Sequence, residues 1–135
     1  MSKHKDHRQR LKDRFLKEGL DNFDELYVLE LLLYYCIPRV DTNPIAHQLL
    51  QHFGSLTAVF SAKPEELEKV DGIGKNAAVF LSFISQLSRY YQVKANEMEK
   101  TLRSVEQCGE YLTPFFFGRE QETVFMLCLD AKCKV

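Results

Sequence analysis

The chain is expected to be mainly α: a helical bundle containing a helix-hairpin-helix motif, followed by a small α/β fragment. Three observations carry that expectation. Helix-period apolar patterns, separated by capping residues, run from residue 3 to residue 91. A Gly-x-Gly step, VDGIGKNA at 70–77, falls between two of those helical stretches. Beyond residue 104 the texture changes, and TVFMLCLD (123–130) is rich in bulky and β-branched apolar residues yet too short for a globular helix.

The first helix is expected over residues 3–18 and is stopped by Gly19, which takes the left-handed conformation that ends helices. Leu11, Phe15 and Leu16 give it only a thin apolar stripe, so it should lie on the surface of the bundle. A second helix, 24–36, is apolar on most sides and therefore central, capped by Asn22 or Asp24 and ended by Pro38. Thr42 or Asn43 caps a third, Pro44 suits its first turn, and Gly54 closes it. Ser55 caps the short stretch SLTAVFSA, and Pro64 opens PEELEKV with two glutamates where the helix dipole favours them. A long helix follows from Lys75 to Tyr91, with Phe80, Ile84, Leu87 and Tyr91 on one face. Ser104 caps a last helix over 105–116.

Residues 92–104 are polar and poor in large apolar groups. The expected division is therefore a helical domain over 1–95, a linker over 96–104, and a fragment of a second domain over 105–135. TVFMLCLD reads as a strand buried on both faces, AKCK as the turn after it, and Val135 as the start of another strand. One strand and a half cannot make a domain, because edges stay unpaired and faces uncovered. The expectation is a truncated gene, a trimmed piece, or a protomer that pairs its strand with another chain.

Composition excludes several classes of function. With 45% hydrophobic and 27% charged residues, the chain has the balance of a soluble globular protein. Its longest apolar run, Leu31–Ile37, is too short to cross a bilayer, and MSKHKDHRQR lacks the apolar centre of a secretory signal. Both point to the cytosol and away from a membrane. Cys36, Cys108, Cys128 and Cys133 are scattered with no C-x-x-C pair, as for free thiols in a reducing compartment. His4 and His7 lie one helical turn apart, but no nearby residues complete a zinc set. The overall charge of −1 hides an uneven distribution. Residues 1–20 hold seven basic against three acidic side chains, a net of +4, so the first helix is either a phosphate-facing surface or a solvated face.

The Gly-x-Gly step carries the functional reading. Gly72 and Gly74 permit a sharp turn and close approach of another molecule. Ile73 between them should tuck inward against Leu67 and Leu81, and the small Ala77 and Ala78 let the two helices pack closely. The amides around Gly72, Gly74, Lys75 and Asn76 then crowd a helix N-terminus, where they can hold an anion beside the Lys75 charge. Gly72, Ile73, Gly74, Lys75 and Asn76 are the candidate nucleic-acid-binding residues. A phosphate held this way gives contact blind to base sequence. The alternative is a plain packing unit. LLLYYCIPRVDTNPIAHQLL repeats the helix-turn-helix layout without glycines; only Arg39 there could reach a phosphate, and packing is its favoured role.

ELLLYYCIPRVDTNPIAHQLLQHFGSL, then KVDGIGKNAAVFL, then ETVFMLCLDAKCKV together resemble the RadC family of bacterial proteins over nearly the whole chain. That resemblance implies an N-terminal helix-hairpin-helix domain before a JAB/MPN-type domain, the fold of zinc-dependent isopeptidases, under a DNA-repair label. The hairpin glycines match at Gly72 and Gly74, and the first JAB/MPN strand matches TVFMLCLD. The family's metal centre uses a glutamate, a His-x-His-Pro-Ser-Gly-Asp-Pro block and an aspartate, none with a counterpart here. The resemblance therefore implies no catalytic residues, no metal ligands and no cofactor in this chain; zinc, and metallohydrolase activity, are expected only of a full-length form.

Three functional expectations follow. The leading one is non-specific contact with the DNA backbone by the hairpin domain of a RadC-like protein. The second makes the chain the N-terminal part of a zinc-dependent JAB/MPN metallopeptidase. The third is a protein–protein adaptor using the bundle or an exposed strand, with self-association through 123–130.

Overall fold

The structure is a computed structural model and describes residues 3–96 and 101–135, with side chains from residue 6 onward. It is mainly helical. Seven helices lie among the described residues: α1 (Lys3–Glu18), α2 (Glu25–Cys36), α3 (Asn43–Phe53), α4 (Leu56–Ser61), α5 (Pro64–Leu67), α6 (Lys75–Asn96) and α7 (Val105–Phe116). The chain divides into two compact units, Met1–Ser82 and Phe83–Val135. Of the expected linker, residues 97–100 lie outside the described residues, as does the side chain of His4.

The caps explain where the helices start and stop. Gly19, with φ 69°, gives its amide to the Phe15 carbonyl at 2.8 Å and ends α1. Asp24 rather than Asn22 caps α2, its Oδ1 accepting the Tyr27 amide at 2.8 Å. Gly54, with φ 89°, closes α3, and Ser55 Oγ accepts the Ala58 amide to start α4. α5 is a single turn and shorter than PEELEKV promised. The amides of Lys69 and Val70 turn back to the carbonyls of Glu66 and Leu67, tightening the chain into the hairpin. α6 runs on to Asn96, past the expected end at Tyr91, because nothing in QVKAN breaks a helix.

In the first unit, α2 is central. Leu29 and Leu33 are wholly buried with Ile45, Ala46 and Leu49 of α3, Val59 of α4 and Leu67 of α5. The opposite side of α2, through Leu31 and Tyr34, packs on Leu11 of α1 beside Phe23 and Tyr27. α6 enters this core through Ala77, Ala78 and Leu81. The expected line of Phe80, Ile84, Leu87 and Tyr91 is not its buried face: the first two are half-buried and the last two exposed. Small residues win that position because they let α6 approach closely.

In the second unit, Ser104 caps α7 by accepting the Gln107 amide, and Gln107 Oε1 returns the bond by accepting the Arg103 amide at 2.7 Å. Gly118, with φ 66°, turns the chain out of α7. The expected strand 123–130 is corrected here, and with it the small α/β fragment. Among the described residues there is no sheet, only an isolated antiparallel bridge between Thr101 and Lys134. Nor is the segment buried on both faces. Its side chains alternate as in a strand: Thr123, Phe125 and Leu127 are half-buried, while Val124 and Met126 are 94% and 88% exposed. Phe125 meets the rings of Phe115 and Phe116 edge-on, at centroid distances of 5.5 and 4.9 Å. One face packs on α7, and no strand among the described residues pairs with the segment. The turn that follows does form. Asp130 Oδ1 accepts the amides of Lys132 and Lys134, and Cys133 takes φ 58°.

Candidate nucleic-acid interface

The hairpin is built by α5, the turn at 68–74 and the first turn of α6. Ile73 is its pin: its side chain is buried in one cluster with Leu67 and Leu81, and its amide closes the turn on the Val70 carbonyl at 3.1 Å. Gly72 has φ 86°, and a Cβ there would stand 2.8 Å from Ile45 Cδ1. The left-handed backbone conformation favours glycine, and the close seat against Ile45 of α3 leaves little room for a side chain. Gly74 differs. Its φ is not left-handed, and a Cβ there would meet nothing within 4 Å. Its carbonyl accepts the first bond of α6, from Ala78 at 3.0 Å.

The open amides of this turn follow from that geometry. The backbone N–H groups of Gly72, Gly74, Lys75 and Asn76 make no hydrogen bond among the described residues, and all four residues are exposed. Those of Gly74, Lys75 and Asn76 are donors that every helix leaves unpaired at its start, here with no capping side chain, and Gly72 lies in the turn just before. Lys75 makes no ion pair among the described residues. Lys69, two turns of chain earlier, is already spent: its Nζ bonds both Glu66 oxygens at 2.7 and 2.8 Å. That bonding, with the lysine's charge, holds the Glu66 carboxyl below the usual carboxylate range. A polar groove of about 520 Å³ runs beside the turn, lined by Gln48, Gln51 and His52 of α3 with Lys69, Val70 and Asp71.

Five candidate residues thus meet in one turn, four offering amides and Ile73 giving its side chain to the core. Arg39 sits on a different turn, between α2 and α3. It is exposed and takes φ 66°, the left-handed conformation that Gly72 takes in the hairpin.

Sequence reasoning missed how that second turn is held. Glu30, fully buried in the middle of α2, gathers three donors: Tyr34 Oη at 2.7 Å, Asn43 Nδ2 at 3.2 Å and His7 Nε2 at 3.0 Å. Arg8 donates to the carbonyls of Ile37 and Val40 and lies 4.7 Å from the centre of the Tyr34 ring. A charge inside an apolar helix was the available signal, and it points to a partnered buried group. The basic first helix is correspondingly less free than its charge count implied. Arg14 donates to the Asn22 carbonyl at 2.7 Å and faces the Phe23 ring at 4.7 Å, and Lys12 lies 5.2 Å from the Tyr35 ring centre.

No group of three or more His, Cys, Asp or Glu among the described residues is placed to hold a metal ion. No helix is long and apolar enough to cross a membrane.

No family model and no solved structure matches the chain. Over 81 residues, 60% of its length, the chain is 49% identical to a UPF0758 protein of Fusobacterium nucleatum. UPF0758 is a designation of the RadC family. The chain spans about a third of that relative, 35% of its length, so the homology is established for a partial region.

Proposed function

We propose that the helical unit contacts nucleic acid through the α5–α6 hairpin, holding a backbone phosphate on the amides of Gly72, Gly74, Lys75 and Asn76 with the Lys75 ammonium beside it. This is the role of the nucleic-acid-contacting part of a RadC-like, DNA-repair-associated protein. The observation that carries it is the set of exposed, unbonded amides at the tip of a turn whose frame is otherwise fixed by packing. Donors at a helix start, aligned with its dipole, favour an anion. Backbone donors report nothing about bases, so the contact is independent of sequence. Arg39 supplies a second, weaker contact from the neighbouring turn of α2 and α3.

The test is titration of duplex, single-stranded and branched DNA with the 135-residue chain at several salt concentrations. Affinity should fall as salt rises, by nearly one log unit per log unit of salt for each phosphate neutralised. Lys75→Glu should weaken binding to all sequences alike. Absence of binding to all three DNAs at low salt overturns the reading and leaves the hairpin a packing unit.

A further inference from the structure

We propose that the polar groove beside the hairpin receives an unpaired nucleotide base, so that the chain prefers DNA with a bulged or unpaired position to intact duplex. The inference rests on the phosphate contact proposed above and names the kind of strand that contact holds.

Position and size carry the first part of the argument. Val70 and Asp71 line the groove and run directly into Gly72, so it opens next to the amides assigned to the phosphate. Its volume of about 520 Å³ lies within the range of small-ligand clefts, roughly 300–1,000 Å³. A held phosphate has a sugar and a base as its neighbours on the strand. The groove is placed to take one of them.

Charge excludes a second phosphate from it. Lys69 is already engaged by both Glu66 oxygens, and Asp71 repels an anion. What the groove offers instead is uncharged hydrogen-bonding capacity. Gln48, Gln51 and His52 lie three and four residues apart on one face of α3. Their side chains make no hydrogen bond among the described residues. The His52 ring is held edge-on against Phe53, with centroids 4.7 Å apart. Each glutamine amide carries donors and an acceptor in one plane, the complement of a base edge. Turning the amide over exchanges the two, so the groove accepts any base and distinguishes only whether it is paired. In intact duplex the pairing edge is occupied by the other strand. A base must then leave the stack to enter a groove at the backbone, which is costly for a paired base and least costly for an unpaired one.

The test titrates the whole chain with three labelled DNAs: a duplex, the same duplex with a single-nucleotide bulge, and that bulge with its base removed. The bulged DNA should bind about tenfold more tightly than the other two, the saving from a base that need not be unpaired. Gln48→Ala and Gln51→Ala together should erase that advantage. Duplex affinity and the helical circular dichroism spectrum should stay unchanged, because both side chains are exposed. Lys75→Glu should weaken binding to all three DNAs. Equal affinity for duplex and bulge, with the Lys75 effect intact, overturns this inference alone. So does an abasic bulge that binds as tightly as the complete one, which would make backbone flexibility the preferred feature. An advantage that survives the two glutamine substitutions overturns it as well. A free mononucleotide that displaces the bulged DNA at micromolar concentration would assign the groove to a soluble nucleotide and equally overturn it. Failure of all three DNAs to bind at low salt removes the phosphate contact itself, and this inference with it.

Discussion

Gly72 lies so close to Ile45 that a methyl group at position 72 would stand 2.8 Å from Ile45 Cδ1 and 3.0 Å from Cγ1. The α5–α6 turn is thus seated on α3, and the seat is narrow. Gly72→Ala meets two penalties together, a left-handed φ of 86° and a clash inside a packed core. The expected loss is about 2–4 kcal/mol from left-handed strain plus overpacking. A urea midpoint lower than wild type by that amount, with an unchanged slope, is the result to look for. A neutral substitution would mean that Ile45 moves aside freely and that the turn is not braced by α3.

Gly74 makes the opposite prediction from two positions along. Nothing crowds it and its φ is ordinary, so Gly74→Ala should change stability by no more than about 1 kcal/mol, a poorer cap offsetting a stiffer unfolded chain. Affinity for DNA should nevertheless fall, because the new methyl group stands in the open space beside the unbonded amides. Asp71, exposed on the groove side of the same turn, should have the reverse effect. Removing its charge with Asp71→Asn should tighten binding, most visibly at low salt where the repulsion is least screened. Gly74→Ala binding as wild type would separate the open amides from any phosphate.

How far these features were legible in the sequence depends on whether the cause was local. Asp24, Ser55, Ser104, Gly19 and Gly54 act within one turn of chain, and each helix boundary they set could be read directly. The inward turn of Ile73 between the two glycines was legible for the same reason, since an apolar side chain there has one way to point. The seat of Gly72 on Ile45 was not, because it joins residues 27 positions apart and depends on how α3 crosses the turn. The Phe80–Tyr91 face of α6 misled because periodicity marks which residues share a side without marking which side is covered. The strand at 123–130 was half legible. Its period-2 alternation is present, but a strand is completed by a neighbour, and sequence pattern alone cannot supply one.

Glu30 was the least legible feature and makes a sharp stability prediction. A carboxylate with no exposed surface is retained only because Tyr34, Asn43 and His7 all donate to it. Glu30→Ala leaves those donors without an acceptor and opens a void between α1, α2 and α3. The expected cost is about 2–4 kcal/mol. Glu30→Gln keeps the volume but sets an amide group against existing donors, so it should cost about 1–2 kcal/mol. His7→Ala should cost less than about 1 kcal/mol, since the His7 side chain is 43% exposed and water can replace it. Chemical denaturation of the three variants checks the order, and a His7 effect equal to that of Glu30→Ala would contradict it.

The Tyr34 hydroxyl gives the last prediction, on alkaline stability. Burial, and then the hydrogen bond it donates to Glu30, push this phenol well above its usual range. In the unfolded chain the same group loses its proton near pH 10, an ordinary tyrosine value of about 10. The folded state therefore holds a proton that the unfolded state has released. Its contribution to stability is complete below about pH 10 and declines as pH climbs from there toward the folded value, by up to about 1.4 kcal/mol per pH unit for one proton. Tyr34→Phe removes the ionisable group. It should lower stability by about 1 kcal/mol at neutral pH through the lost hydrogen bond, and then lose less than wild type on going from about pH 8 to about pH 11. Lysines and the remaining tyrosines are common to both proteins and cancel in that comparison. Urea midpoints at the two pH values measure it, and parallel decline of the two proteins would mean that Tyr34 stays as free to ionise in the fold as outside it.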